Sequence, residues 1–106
     1  MRFTVLGAGL QGSACAFDLL QDSAVTEVRL VDRSFERLPA FLQPLVGPRL
    51  TLHAVDARDP AAVRGVLSGT VAALCAMPYH FNLALTQCAV DAGVHFADLG
   101  GNTTIV

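Results

Sequence analysis

"FTVLGAGLQGSACAFDLL", residues Phe3 to Leu20, decides how the rest of the chain is read. Three glycines, Gly7, Gly9 and Gly12, stand between a short apolar run and a longer apolar-rich one. The short run, "RFTVLG" (Arg2–Gly7), has the length and continuous apolar character of a strand buried on both faces. From Leu10 the apolar residues fall at Leu10, Ala14, Phe17 and Leu20, which is helical spacing. The motif Gly-x-Gly-x-x-Gly therefore joins a predicted strand to a predicted helix. Alone it is a weak signal. Its context includes an acid, Asp32, 20 residues after Gly12 at the end of the next predicted strand.

Each glycine has a physical task in such a turn. Gly7 allows the tight bend, and Gly9 leaves the backbone bare so that a pyrophosphate can approach. Gly12 lets the helix lie close against the strand. The unpaired N–H groups of the first helical turn then face the phosphates with the helix dipole behind them. Gly7, Ala8, Gly9, Leu10, Gln11 and Gly12 are thus the predicted phosphate turn of a dinucleotide site. Asp32 is placed to accept from the ribose hydroxyls of the adenosine, and its charge repels a 2′-phosphate. NAD is the expected cofactor. NADP is the alternative, because Arg33 is placed to pair with a 2′-phosphate or to stack on adenine.

Outward from this turn the pattern alternates. "TEVRLVD" (Thr26–Asp32) reads as a second strand and "LTLHAVD" (Leu50–Asp56) as a third. Between them Ser34 is a candidate cap, but Pro39, Pro44 and Pro48 cut short any helix that follows. Asp59 as N-cap, Pro60 at the first helical position, apolar Val63, Val66 and Leu67, and a closing Gly69 predict the next helix. "VAALCA" (Val71–Ala76) is a continuous apolar run, as in a central parallel strand. Pro78 opens a predicted helix that ends at Gly93, and "VHFADLG" (Val94–Gly100) is a fifth strand. Strands alternating with helices imply an α/β fold of the Rossmann type, a doubly wound parallel sheet of order 3-2-1-4-5. Its ligand crevice is expected between strands 1 and 4.

That architecture names further candidates at the carboxyl ends of strands. Asp56 and Ala57 would lie beside the adenine. Ala76, Met77 and Pro78 would flank the middle of the cofactor and its nicotinamide ribose. His80 is the one histidine placed to reach the crevice mouth, although a first-turn surface position explains it as well. His53 and His95 read as structural, and Asp98, ending strand 5, is placed to orient a loop or a cofactor ribose. No catalytic residue can be assigned and no metal-binding spacing appears.

Composition excludes other classes. The chain has 106 residues, enough for one core, and is 53% hydrophobic and 15% charged, with a net charge of −2. Its seven basic residues are all arginines and are scattered, so nothing in the sequence suggests a nucleic-acid footprint. No apolar run approaches the roughly 20 residues of a membrane-spanning helix. The start "RFTVLGA" lacks a signal-peptide arrangement, so the cytoplasm is the expected compartment. Cys15, Cys75 and Cys88 show no paired spacing and read as reduced, small core residues.

Taken together, "VLGAGLQGSACAFDL", "VRLVDRS", "VDARDPAAVRGVLSG" and "ALCAMPYHFNLALTQCAVDAGVHFADLGGN" resemble the N-terminal dinucleotide-binding domain of the saccharopine dehydrogenase family, which includes lysine 6-dehydrogenase-like enzymes. The resemblance implies a nicotinamide-dependent oxidoreductase acting on the C–N bond of an amino acid or imine. It implies that Gly7, Gly9, Gly12 and Asp32 hold the cofactor, and that substrate-binding and catalytic groups come largely from a second domain. On this reading residues 1–106 are a cofactor-binding fragment of a longer enzyme, not active alone. The apolar ending "GGNTTIV" fits such a truncation, and an open strand-5 edge would make self-association plausible. The competing reading is a stand-alone nucleotide-sensing regulatory domain, which would share the glycine turn and the acid. An S-adenosylmethionine-binding core is disfavoured, because Val5 and Leu6 stand where an acid before the first glycine is needed. A remnant that binds no nucleotide and serves as an interaction module is the fourth reading.

Overall fold

The structure, a computed structural model, describes residues 1–78 and 81–98, Asn82 by its backbone alone. Five strands and three α-helices follow one another in the predicted alternation. They are β1 (Arg2–Leu6), α1 (Leu10–Leu20), β2 (Glu27–Asp32), β3 (Leu50–Ala54), α2 (Pro60–Leu67), β4 (Ala72–Cys75), α3 (Asn82–Ala92) and β5 (His95–Asp98). A 3-10 turn at Gln43–Leu45 is the regular structure in the proline-bearing segment between β2 and β3. The sheet is wholly parallel and its order is β3-β2-β1-β4-β5, as expected.

The strands alternate in the face they bury, so each face of the sheet has its own core. Val5, Val28, Leu30 and Leu50 point to one face, where Ala16 and Leu20 of α1 cover them together with the fully buried Leu42. Leu6, Val31, Ala73 and Cys75 point to the other. There Val63, Val66 and Leu67 of α2 and Leu85, Cys88 and Ala89 of α3 close the core. Thr4, fully buried, donates its hydroxyl to the Val66 carbonyl at 2.8 Å, which satisfies it inside the apolar layer.

Helix α2 begins as its sequence dictates. Asp59 accepts from the Ala62 amide at 3.2 Å, and Pro60 occupies a position that has no helical N–H to lose. Helix α3 ends at Gly93 in the left-handed conformation, φ 70°. It starts at Asn82 with Phe81 as its N-cap, four residues later than Pro78 would suggest. Strand ends also fall short of the sequence reading by one or two residues, at Leu6, Ala54 and Cys75. The expected last residues of strand 5, Leu99 and Gly100, lie outside the described residues, as does the apolar ending.

Helix α1 forms where its apolar spacing predicts a helix, but its buried face does not follow that spacing. Leu10 is 75% exposed, Ala14 is exposed and Phe17 is 40% exposed, while Gly12, Ser13, Ala16 and Leu20 are buried. The reason is distance. A Cβ placed on Gly12 would land on the Gly7 carbonyl oxygen, so the helix meets the sheet through its smallest residues. Close approach outranks hydrophobicity there. Phe17 instead packs edge-on against Phe41, with ring centroids 5.6 Å apart. Cys15 is likewise only half-buried, unlike Cys75 and Cys88.

Candidate functional site

The carboxyl ends of β1, β2 and β4 come together around the glycine turn. The Gly7 amide donates to the Val31 carbonyl at 2.7 Å and the Ala76 amide donates to the Leu6 carbonyl at 2.8 Å, so the turn leaves the sheet from between its two neighbours. Gly7 has φ 105°, a conformation that side chains other than glycine's rarely adopt. It is also hemmed in, since a Cβ there would lie 3.1 Å from the Ala76 backbone and 3.3 Å from the Met77 sulfur. Gly9 is the opposite case. It caps α1 with ordinary extended dihedrals, φ −68° and ψ −171°, and nothing stands within 4 Å of where its Cβ would be. That open space is where a bulky anion can meet the backbone. Among the described residues, none accepts from the Gly9, Leu10 or Gln11 amides.

Asp32 sits at the end of β2, partly exposed. Its Oδ2 accepts from the Ala8 amide at 2.8 Å, and its Oδ1 accepts from the amide of its neighbour Arg33 at 2.6 Å. Both oxygens retain lone pairs for further donors. Asp32 and the turn line one cleft of about 390 Å³, with Ala8 and Gly9 on one wall and Ser34, Glu36, Arg37 and Leu38 on the other. Sequence reading missed that second wall. Its residues carry no motif, and only the path of the loop after β2 brings them opposite the glycines. The cleft lies on the β2 side of the turn. On the β4 side, where the crevice was expected, Ala76 and Met77 pack against Gly7.

The remaining candidates fall less centrally. Arg33 is exposed, and its guanidinium bonds to no described residue. Its charge does act on Asp56. Asp56 is held by Arg58, whose Nη2 lies 2.8 Å from Oδ2 and whose amide donates to Oδ1 at 2.9 Å. These bonds to Arg58 hold the Asp56 carboxyl far below the usual carboxylate range. Ala57 and Met77 pack against the core under α2 and α3, and Pro78 is exposed. His80 lies outside the described residues. His53 shares a 2.9 Å hydrogen bond with the Thr51 hydroxyl within β3, and His95 opens β5 on an outer edge of the sheet, both away from the cleft. Asp98 ends β5 opposite Cys75. Burial pushes the Cys75 and Cys15 thiols up, which keeps them protonated and poorly nucleophilic at neutral pH. Among the described residues no group of three or more His, Cys, Asp or Glu is placed to hold a metal ion, and no helix is long and apolar enough to cross a membrane.

The bare Gly9, the unpaired amides and the acid across the cleft fit a dinucleotide. The family model of the saccharopine dehydrogenase NADP binding domain matches residues 3–105, a span that contains all of them. The chain belongs to that family. It is an NAD(P)-binding domain of a dehydrogenase-type, oxidoreductase family.

Solved structures share the fold. Apo saccharopine dehydrogenase (L-Glu forming) from Saccharomyces cerevisiae superposes with a TM-score of 0.76 at 18% identity, over 92% of this chain and 21% of that one. A short-chain dehydrogenase/reductase from Veillonella parvula, solved in complex with NADP, gives 0.74 at 14% identity, over 92% of this chain and 46% of that one. A dTDP-glucose 4,6-dehydratase from Streptomyces venezuelae, solved with NAD and TYD bound, gives 0.73 at 28% identity, over 89% of this chain and 37% of that one. The chain thus spans about a fifth of the yeast enzyme and less than half of the other two.

Proposed function

We propose that this family member binds its dinucleotide in the cleft between the glycine turn and the loop after β2, as the cofactor half of an oxidoreductase that acts on the C–N bond of an amino acid or imine. One observation carries the reading. Gly9 and the Asp32 carboxylate line one open cleft, and among the described residues the amides of Gly9 and of Leu10 and Gln11, which follow it at the start of α1, have no acceptor. Gly7, Ala8, Gly9, Leu10, Gln11 and Gly12 would cradle the pyrophosphate, and Asp32 would accept from the adenosine ribose. Asp56 and Ala57 would border the adenine end. The Asp56–Arg58 pair makes Asp56 a weaker candidate there than its position in sequence suggests. Ala76, Met77 and Pro78 would border the nicotinamide half, where the bound cofactor supplies hydride transfer. The substrate domain would follow this one in a longer enzyme, a reading in keeping with the fifth of the yeast enzyme that the chain spans.

Between the two cofactors, Asp32 favours NAD, because a carboxylate beside the ribose repels a 2′-phosphate. The competing choice has its own support in Arg33 beside Asp32 and Arg37 on the cleft wall. Calorimetric titration with NADH, NADPH, ATP and S-adenosylmethionine tests the whole reading. NADH is expected to bind, more tightly than NADPH, and to bind more weakly to Asp32→Ala. Tight ATP binding with none for NADH contradicts the reading and restores the regulatory alternative. A wild-type preference for NADPH overturns the choice of NAD and assigns cofactor discrimination to the arginines.

A further inference from the structure

The Gly9 and Leu10 amides have no acceptor among the described residues, and they are also aimed. In a trans peptide the C=O and N–H point in opposite directions, so fixing one fixes the other. The Gly7–Ala8 peptide gives its N–H to Asp32 at 2.8 Å, which turns the Gly7 oxygen the other way, onto Gly12. The next peptide, Ala8–Gly9, is held by Ser13, a fully buried residue whose hydroxyl donates to the Ala8 oxygen at 3.0 Å. The Gly9 N–H must then point away from Ser13, and no described residue accepts from it. Ser13 also donates its own amide to the Gly9 oxygen at 2.9 Å, which turns the Leu10 N–H out of the helix end. Two bonds from Ser13 therefore orient two consecutive anion-facing amides.

We infer that Ser13 is a positioning residue. Its buried hydroxyl, working opposite Asp32, locks the Ala8–Gly9 peptide so that the Gly9 amide is preset toward the phosphates before any ligand arrives. This rests on the proposed dinucleotide site for its functional consequence. The locking itself is a property of the free chain. Without the hydroxyl, the Ala8 oxygen loses its buried donor and the peptide is free to rotate, a reorganisation that binding must then reverse.

The test uses Ser13→Ala in the chain itself, with two readouts. The first is the residual dipolar coupling of the Gly9 N–H in the ligand-free protein, with those of β1 amides as the internal frame. The second is affinity for ADP against adenosine, which lacks the diphosphate, both read by competition with NADH. The Gly9 coupling is expected to change while the β1 couplings hold. ADP affinity should fall about fivefold to tenfold, the loss of one hydrogen bond of ordinary strength, and adenosine affinity should stay within about twofold. Ser13→Cys, which keeps the volume but donates weakly, should fall between wild type and Ser13→Ala, and it serves if the alanine variant does not fold. An unchanged Gly9 coupling overturns the inference, whatever the ligand data. So does an equal loss for ADP and adenosine, which marks a merely structural residue. A changed coupling in Ser13→Ala, together with a wild-type chain that binds no nucleotide, would instead sink the proposed function and leave the lock standing.

Discussion

Gly9 and Gly12 share a motif and do different physical work, and substitution separates them. Gly9 adopts dihedrals open to any residue and faces empty space, so Gly9→Val should fold, at a cost of about 1 kcal/mol for a poorer N-cap. NADH affinity should nevertheless drop at least about tenfold, because the side chain occupies the phosphate approach. Gly12→Ala should do the reverse and destabilise the fold by about 3 kcal/mol, since its Cβ meets the Gly7 backbone rather than a side chain that can move aside. Thermal melting beside NADH titration of both variants checks the contrast. The motif itself was legible in sequence because it depends on spacing alone. What sequence hid was the use made of Asp32, which ties down the Ala8 amide, and of Ser13, which ties down the Ala8 oxygen. Neither bond follows from a pattern, because each depends on how closely α1 lies on the sheet.

At the scale of elements, the apolar periodicity found α1 but not its inner face. Leu10 and Phe17 match helical spacing and still look outward, because the face turned to the sheet is the one carrying Gly12, where a Cβ would meet the Gly7 backbone, with Ser13, Ala16 and Leu20 buried beside it. Helix α2 has no such constraint, and its stripe of Val63, Val66 and Leu67 is buried as read. Its N-cap should show in stability. Asp59→Ala is expected to cost about 1 kcal/mol in denaturant unfolding. The β2 strand offers a pH test. Burial alone would raise the Glu27 carboxyl, but the hydrogen bond from the Thr51 hydroxyl and the neighbouring Arg29 guanidinium outweigh it and hold the group below its ordinary value of 4.5. A depressed folded-state value means stability that is complete above the unfolded-state value and lost as pH falls through the folded one. Glu27→Gln should therefore destabilise the chain by about 1 kcal/mol at pH 7. That difference should shrink as the pH drops below about 4.5, the unfolded value. A gap independent of pH would assign the effect to packing instead.

For the whole molecule, strand order was legible because right-handed crossovers leave few ways to lay five alternating strands into one sheet. The concave wall beside β2 was not. Fold-level geometry pointed to a crevice between β1 and β4, and it said nothing of the loop from Ser34 to Leu38, which builds that wall. That wall is long-range structure from a proline-bearing segment with no periodicity to read. The central claim is that one dinucleotide bridges the glycine turn, Asp32 and this wall. Mapping backbone amide shifts during an NADH titration tests it most directly. Saturable changes centred on Gly7–Gly12, Asp32 and Ser34–Leu38, extending at most to Asp56–Ala57 and Ala76–Met77, are the expected result, with Thr51 and Thr70 at the far end of the sheet unmoved. No saturable change, or changes centred on the separate groove at Leu45 and Val46, would contradict it.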